Sequence, residues 1–578
     1  MTDQKRIDNK IEAWLNEPYD ADTRKAVQEL LESGNQEEIN DAFYRDLEFG
    51  TGGLRGIMGP GTNRINKYTL GKATQGLCNY LKNSFPNIPI SIALAHDNRN
   101  NAREFSTIVA NVFAGNGIKV YYFESLRPTP ELSFAIRYLS CQSGVMLTAS
   151  HNPREYSGYK AYWSDGGQVI SPHDRNIIEE VNSISDINSI HFEGNPELIE
   201  IIGSEIDQAF LKKVKDASIF PEVCKQQSDL KMVFSPIHGA AVEMVPRAIR
   251  NAGFSALHLV EEQCTTDGNF PTVIYPNPEE EEAMELSIQK AKAVDAEIAM
   301  ASDPDGDRVG VAVKTQKGNY LLLNGNQTAT LLFHYVMNAW KEKGMLKGNE
   351  YIVKTIVTSS ILDAMAADMG IKCYNTLTGF KFIGNLMTSL EEKEKFLVGG
   401  EESYGYLIGD HVRDKDAVVA CAIIAEMTAW YKSQGKSLEK GLQEIYLKYG
   451  LFRERLISFT KKGPKGAQEI SAMMEKFRSS PPKLMDGEKI TLLRDYLNRF
   501  EKNTLSGSYS NLEFPKSNVL QFITASGCSV SVRPSGTEPK IKFYISVNTK
   551  LESVTNYDKK VFLLEQKVDR IAKEMGVI

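Results

Sequence analysis

Asp303-Pro-Asp-Gly-Asp-Arg308 sets three carboxylates at alternate positions of a short turn, directly after the apolar run Ile298-Ala-Met-Ala. Oxygens so spaced can converge on one hard cation, and magnesium is the natural choice. A calcium EF-hand does not fit: counting from Asp303, Arg308 stands where that loop needs glycine, and Lys314 where it needs a bidentate glutamate. A solvated acidic turn without metal is the plain alternative, because Asp and Gly are ordinary turn residues.

Thr148-Ala-Ser-His-Asn-Pro153 follows the apolar segment Gly144-Val-Met-Leu. A serine in a turn at the end of a strand projects from the carboxyl edge of a sheet, where α/β sites assemble. Ser150 therefore reads either as a nucleophile or phosphate carrier, or as an ordinary turn serine. His151 beside it can move a proton, and an unperturbed imidazole, with pKa ~6.5, suits work near neutrality. Arg533-Pro-Ser-Gly-Thr-Glu-Pro-Lys540 lies between two apolar strands and combines a guanidinium fork, two hydroxyls and the backbone N–H groups around Gly536. A phosphate dianion asks for that set, although a Ser/Gly/Pro-rich hairpin looks similar. Gly400-Glu-Glu-Ser-Tyr-Gly405 offers carboxylates and a hydroxyl suited to sugar hydroxyls, or is simply a polar loop.

Competing signatures fail. No Gly-x-Ser-x-Gly elbow is present, Trp430-Tyr-Lys-Ser-Gln-Gly-Lys-Ser437 lacks the first glycine of a Walker A loop, and Gly115-Asn-Gly117 lacks the third glycine of a dinucleotide fingerprint.

The elements that must carry these loops follow a repeated plan of apolar strand, polar turn, amphipathic helix, glycine and second strand. It runs from Ile90 through His96-Asp-Asn-Arg99 to Gly117, from Leu230 through Ser235-Pro-Ile-His-Gly239 to Gly253, and from Tyr351 to Gly370. Glycine at these three positions suits the left-handed residue that ends a helix, and the alternation predicts mixed or parallel α/β sheets. Beyond Leu451 the order becomes strand, helices and a hairpin-like end with a charged helix from Lys559, which predicts an α+β closing domain. The expected layout is a helical extension (1–40), three α/β domains (41–212, 213–324, 325–450) and an α+β domain (451–578).

The chain has 578 residues, too many for one core, and its net charge of −7 carries no footprint for nucleic acid or an anionic membrane. Its seven cysteines are scattered without a Cys-x-x-Cys pair, which suggests reduced thiols in the cytoplasm. The charged N-terminus lacks the apolar core of a signal peptide, and the most apolar stretch, 417–425, is about half the ~20 residues of a membrane helix. It reads as a buried helix.

Taken in order, and together with Gly50-Thr-Gly-Gly-Leu-Arg-Gly56, these motifs resemble the α-D-phosphohexomutase family, which includes phosphoglucomutases and phosphomannomutases. The resemblance implies three similar mixed α/β domains plus a C-terminal α+β domain around a central cleft. It also implies that Ser150 is a phosphoserine, that Asp303, Asp305, Asp307 and the serine phosphate bind Mg2+, and that Arg308 accompanies them. His151 and Lys160, the latter in Ser157-Gly-Tyr-Lys160, are the implied proton-transfer residues, with no choice between them as base. Arg55 and Lys354 match basic cleft positions. Gly379, Lys381, Glu401 and Ser403 match the sugar-binding loops, and Arg533, Ser535, Gly536 and Thr537 the phosphate-binding loop. The implied reaction passes phosphate from Ser150 to a hexose phosphate and back through glucose 1,6-bisphosphate. The partners are then small sugar phosphates, with oligomeric state left open.

Two loops bear on the sugar. The dual-specificity phosphomannomutase branch has histidine after Thr-Gly and Gly-Glu-Met-Ser-Gly-His in its sugar loop, whereas this chain has Thr378-Gly-Phe-Lys381 and Gly400-Glu-Glu-Ser-Tyr-Gly405. Both look more like the phosphoglucomutase and phosphopentomutase-related branch. Glucose phosphate ranks first and mannose phosphate second, with ribose phosphate as the alternative. A magnesium-dependent sugar phosphatase or a sugar-phosphate sensor is the competing class.

Overall fold

The computed structural model describes residues 3–50, 52–460, 463–535 and 540–578. The chain forms two compact units, one of residues 1–323, 380–396 and 404–433, the other of 324–379, 397–403 and 434–578.

The first unit holds two sheets. In one, Ile199–Ile202, Lys119–Phe123, Ser91–His96 and Ser143–Leu147 run parallel, and Tyr156–Trp163 and Gly53–Ile57 continue the sheet antiparallel. In the other, Leu257–Leu259, Met232–Ser235 and Ile298–Ser302 are parallel, followed by antiparallel Val309–Lys314 and Tyr320–Leu323. The central strands Ser91–His96, Ser143–Leu147, Met232–Ser235 and Ile298–Ser302 are almost wholly buried, as strands covered on both faces must be. The second unit carries the parallel pair Glu350–Thr355 and Lys372–Thr376 and an antiparallel sheet built around Leu451–Thr460, Lys540–Thr549 and Ser529–Pro534.

The three repeats are strand-helix-strand crossovers with parallel strands, as the alternation predicts. Gly117, Gly253 and Gly370 follow the helices Ala102–Gly115, Met244–Ala252 and Ile361–Met369 at φ +76°, +111° and +68°. The left-handed backbone there releases the chain from the helix without a Cβ clash.

Residues 417–425 open the buried helix Ala417–Ser433, which runs on past Glu426. That carboxylate is buried because it accepts the backbone N–H groups of Ile219 (2.8 Å) and Phe220 (3.0 Å) at the start of the helix Pro221–Gln226. Among the described residues no helix is long and apolar enough to cross a membrane. The charged closing helix begins slightly earlier than Lys559, at Tyr557, and ends at Glu574.

At the N-terminus the helices Asp3–Trp14, Ala21–Glu32 and Gln36–Phe43 pack an aromatic cluster of Trp14, Phe43 and Tyr68. They also brace the loop that follows the Arg55 strand. Ala42 O accepts Asn63 N–H (2.9 Å), and Asp41 pairs with Arg64 (2.8 Å). Asp20 ties the arrangement together: it caps Ala21–Glu32 through Thr23 N–H (2.8 Å) and pairs with Lys67 Nζ (2.9 Å). Desolvation alone raises the pKa of Asp20, but the hydrogen bonds from Lys67, Thr23 and Tyr68 outweigh it and hold the carboxyl below its ordinary value. Its stabilising contribution is therefore complete above the unfolded carboxylate pKa and is lost as pH falls through the lower folded value. Asp20→Ala is expected to remove about 1 kcal/mol at neutral pH. In thermal unfolding the gap to wild type closes progressively below pH ~4; a gap independent of pH contradicts the assignment.

Candidate active site

Ser150 lies in the turn that follows the strand Ser143–Leu147, and it is 3% exposed. Its backbone sits at φ +53°, a left-handed conformation that a non-glycine residue holds at a cost of roughly 1–2 kcal/mol. Thr148 Oγ1 helps to fix it by accepting Ser150 N–H at 2.7 Å. The hydroxyl donates to Asp303 Oδ2 at 3.0 Å and lies 3.1 Å from His151 Nδ1.

Asp303, Asp305 and Asp307 follow the strand Ile298–Ser302 and are 0%, 0% and 1% exposed, with ligand oxygens within 4.8 Å of one another. Each carboxylate is anchored by part of its surface. Asp303 Oδ1 accepts the backbone N–H groups of Asp307 (3.1 Å) and Arg308 (3.0 Å). Asp305 Oδ2 accepts Thr129 Oγ1–H (2.9 Å) and Lys160 Nζ (2.6 Å). Asp307 Oδ2 faces Lys415 Nζ (3.0 Å) and Lys160 Nζ (3.3 Å). Among the described residues, Asp305 Oδ1 and Asp307 Oδ1 are buried with no hydrogen-bond partner. Buried carboxylate oxygens in that state call for a cation, so the residues fit a bound metal ion.

Crowding shapes the protonation of the group. Burial, then Asp305 and Asp307, push Asp303 well above the ordinary carboxylate range. Burial acts the same way on Asp305 and Asp307, but Lys160 for the first, and Lys415 with Lys160 for the second, outweigh it and hold both below that range. Burial disfavours the Lys160 ammonium too, yet the carboxylates of Asp305 and Asp307 prevail and raise its pKa. His151 departs from the unperturbed value expected of it. Desolvation and the guanidinium groups of Arg308 and Arg55 drive it well below, which favours the neutral imidazole.

Arg308 pairs with Glu279 (2.5 Å) and brings Nε to 4.0 Å from Asp303 and 3.8 Å from Asp307. Arg55, exposed on the edge strand Gly53–Ile57, reaches Asn152 Oδ1 at 3.4 Å. The structure thus brings Ser150, His151, Lys160, Arg308, Arg55 and the three aspartates together in the first unit. Lys381 lies in the same unit, half-buried at the start of the helix Phe380–Leu390, with Nζ 5.4 Å from the Phe382 ring.

The remaining candidates lie in the second unit. Glu401 Oε1 accepts Gly379 N–H at 2.8 Å, which joins the two sugar-loop segments, and Ser403 is half-buried two residues on. Tyr544 links this loop to Arg533: burial and the Glu402 carboxylate raise its phenol, and the Arg533 guanidinium opposes them. Ser535 donates its N–H to Lys540 O (2.7 Å) at the base of the last hairpin, while Gly536 and Thr537 lie outside the described residues. Lys354 is 3% exposed and its ammonium is already engaged by Asp363 (3.1 Å) and Thr358 O (3.2 Å).

Lys415 is the residue that sequence reasoning missed. It belongs to Arg413-Asp-Lys-Asp416, a charged run before the apolar helix, and its position depends on Gly405. A Cβ at Gly405 would lie 2.0 Å from Lys415 Cδ. The final glycine of Gly400-Glu-Glu-Ser-Tyr-Gly405 therefore opens the passage along which the lysine reaches Asp307.

Residues 46–188, 208–318 and 324–449 match the family models for the phosphoglucomutase/phosphomannomutase α/β/α domains I, II and III. A phosphoglucomutase from Staphylococcus aureus (strain USA300) is 35% identical over 540 residues, covering 93% of this chain and 95% of its own length. One from Staphylococcus haemolyticus is 34% identical over 510 residues, covering 88% and 91%. Among solved structures, Paramecium parafusin, itself a phosphoglucomutase, superposes with a TM-score of 0.67 at 20% identity, covering 92% of this chain and 96% of its own. A phosphoglucomutase/phosphomannomutase family protein from Burkholderia thailandensis gives 0.63 at 18% identity, covering 91% and 97%. With family models spanning three successive domains and relatives matched along nearly their whole length, this chain belongs to the phosphoglucomutase/phosphomannomutase family.

Proposed function

We propose that the chain is a phosphosugar mutase that interconverts hexose 1-phosphate and hexose 6-phosphate, with glucose phosphate the preferred substrate, through a phosphorylated Ser150. The observation that carries this reading is the buried Ser150 hydroxyl, 3.0 Å from Asp303 in a cluster of three carboxylates. Asp303, Asp305, Asp307 and the phosphate on Ser150 would hold Mg2+. When bound, the ion supplies electrostatic stabilisation of charge on the transferring phosphoryl group.

In the first half-reaction the P–Oγ bond of phospho-Ser150 breaks and a bond forms from phosphorus to the free hydroxyl oxygen of the sugar phosphate, giving the 1,6-bisphosphate. The sugar hydroxyl loses its proton, and Ser150 Oγ regains one. His151, which faces Oγ at 3.1 Å, and Lys160 are assigned to these two proton transfers. Lys160 Nζ lies against Asp305 (2.6 Å) and Asp307 (3.3 Å). Arg308 and Arg55 add positive charge near the phosphate-bearing loop, whose electrostatic effect grows as water is excluded. Glu401 and Ser403, with Gly379 and Lys381, are assigned to sugar hydroxyls. Arg533, Ser535, Gly536 and Thr537 are assigned to the phosphate that is not being transferred, and Lys354 to shaping the Thr355–Thr358 turn through its hydrogen bond to Thr358 O. The bisphosphate then reverses and returns its other phosphate to Ser150.

Ser150→Ala is expected to lower kcat for glucose 1-phosphate by more than ~10³-fold in a coupled assay primed with glucose 1,6-bisphosphate. Removal of Mg2+ with a chelator silences the wild type reversibly. Full isomerisation by the alanine variant would sink the reading, and retained release of inorganic phosphate would favour a phosphatase. Gly405→Ala should mimic Lys415→Met, each lowering kcat by roughly 10- to 100-fold, since the first obstructs the lysine that the second removes. Activity lost in Lys415→Met but unchanged in Gly405→Ala would refute that link. In a panel of hexose and pentose phosphates, kcat/KM for glucose should exceed that for mannose by roughly 5- to 30-fold, the range of one hydrogen bond. A higher value for ribose phosphate would reassign the enzyme to pentoses.

A further inference from the structure

The Ser150 loop carries a left-handed residue and several inward-turned carbonyls, and one side chain answers four of them. Arg99 Nη2 donates to Ser150 O (2.7 Å) and Asn152 O (2.5 Å), and Nη1 to Pro153 O (2.8 Å) and Tyr156 O (2.9 Å). Its remaining N–H, on Nε, faces Asp97 Oδ2 at 3.5 Å. The guanidinium thus spans the loop from its reactive residue to the start of the strand Tyr156–Trp163. The planar fork suits this task; a lysine has one nitrogen and no fixed directions.

Arg99 is itself fixed from two sides. Asp97 donates its N–H to Leu147 O (3.1 Å) at the end of the strand before the Ser150 turn, and its Oδ1 accepts Arg99 N–H (3.0 Å). From the other side the loop 267–270 closes over the turn. Asn98 Nδ2 donates to Asp267 O (3.0 Å), and the Phe270 ring lies 5.4 Å from the guanidinium carbon. Gly268 permits this approach, since a Cβ there would lie 2.4 Å from Asn100 N. The loop 267–270 lies within the stretch matched by the second domain model, which also contains Asp303. A continuous set of contacts therefore runs from the domain bearing the aspartates, through the turn 97–100, to the main chain of Ser150.

We infer that Arg99 is a positioning residue for phosphoryl transfer, holding the Ser150 main chain so that Oγ keeps its register with Asp303. This rests on the mutase reading. It goes beyond that reading in assigning the alignment of the phosphate carrier to a side chain whose hydrogen bonds go to the main-chain carbonyls of the loop. A displacement of about 1 Å in a reacting group is enough to lower a rate on the order of 10²-fold.

The test is Arg99→Lys, which keeps the charge and loses the fork. The variant is expected to lose about 10²-fold in kcat while KM for glucose 1-phosphate stays within about twofold, because the sugar-binding residues are untouched. Hydrogen–deuterium exchange should speed up in 148–157 and stay unchanged in the sheet strands. A folded Arg99→Lys with kcat within threefold of wild type, a loss that falls on KM instead, or unchanged exchange in 148–157 each overturns the inference. Should Arg99→Lys not fold, Asp97→Asn takes its place: it releases one anchor of the guanidinium, is expected to lower kcat about 10-fold at constant KM, and overturns the inference if kcat is unchanged. The exchange measurement needs no turnover. Wild type inactive on every sugar phosphate, with faster loop exchange in the variant, would therefore fault the mutase reading and leave the clamp standing.

Discussion

Three carboxylates within 4.8 Å of one another, shut away from water, repel strongly, and the surrounding architecture answers that repulsion. Thr129, at the start of a helix, gives Asp305 a hydroxyl proton, and the backbone of Asp307 and Arg308 turns two N–H groups onto Asp303. Lys160 arrives from a strand of the neighbouring sheet, and Lys415 from the segment before the helix Ala417–Ser433. None of the charged groups would be stable in its place alone, since a buried charge without its partner costs several kcal/mol. The carboxylates and their cations therefore specify one another, and in doing so they bring elements far apart in the chain into register.

The Ser150 loop belongs to the same balance. Its hydroxyl is one of the few groups near Asp303 that can donate a proton, and the left-handed backbone that aims it there is strained on its own. Strain of this kind persists only where neighbouring bonds over-determine it. Here Thr148 holds the N–H side and Arg99 the carbonyl side.

What the sequence made legible follows from how local each signal is. The Asp303 turn and the Ser150 turn each pack their chemistry into six residues after an apolar run, and the strand-helix-glycine-strand repeats announce their own helix ends at Gly117, Gly253 and Gly370. Lys415 was hidden because its partner, Asp307, is remote in sequence, and because Arg413-Asp-Lys-Asp416 looks like the solvated lead-in to a helix. Only the space left by Gly405 shows where that lysine goes. Protonation was equally out of reach: His151 reads as an ordinary imidazole until Arg308 and Arg55 are placed beside it. Lys354 reads as a basic residue available to a ligand, and the fold reveals the Asp363 carboxylate already paired with it.

The seclusion of Ser150 also limits how it can be charged with phosphate. A signalling kinase threads its target through its own groove as an extended, pliable segment, and Ser150 offers none: it is 3% exposed, its backbone is left-handed, and the carbonyls around it are tied down. Under the proposed chemistry, its phosphate must come from a donor small enough to enter the site. The working state of the protein would then follow the supply of doubly phosphorylated sugar, a link to metabolism that needs no partner protein.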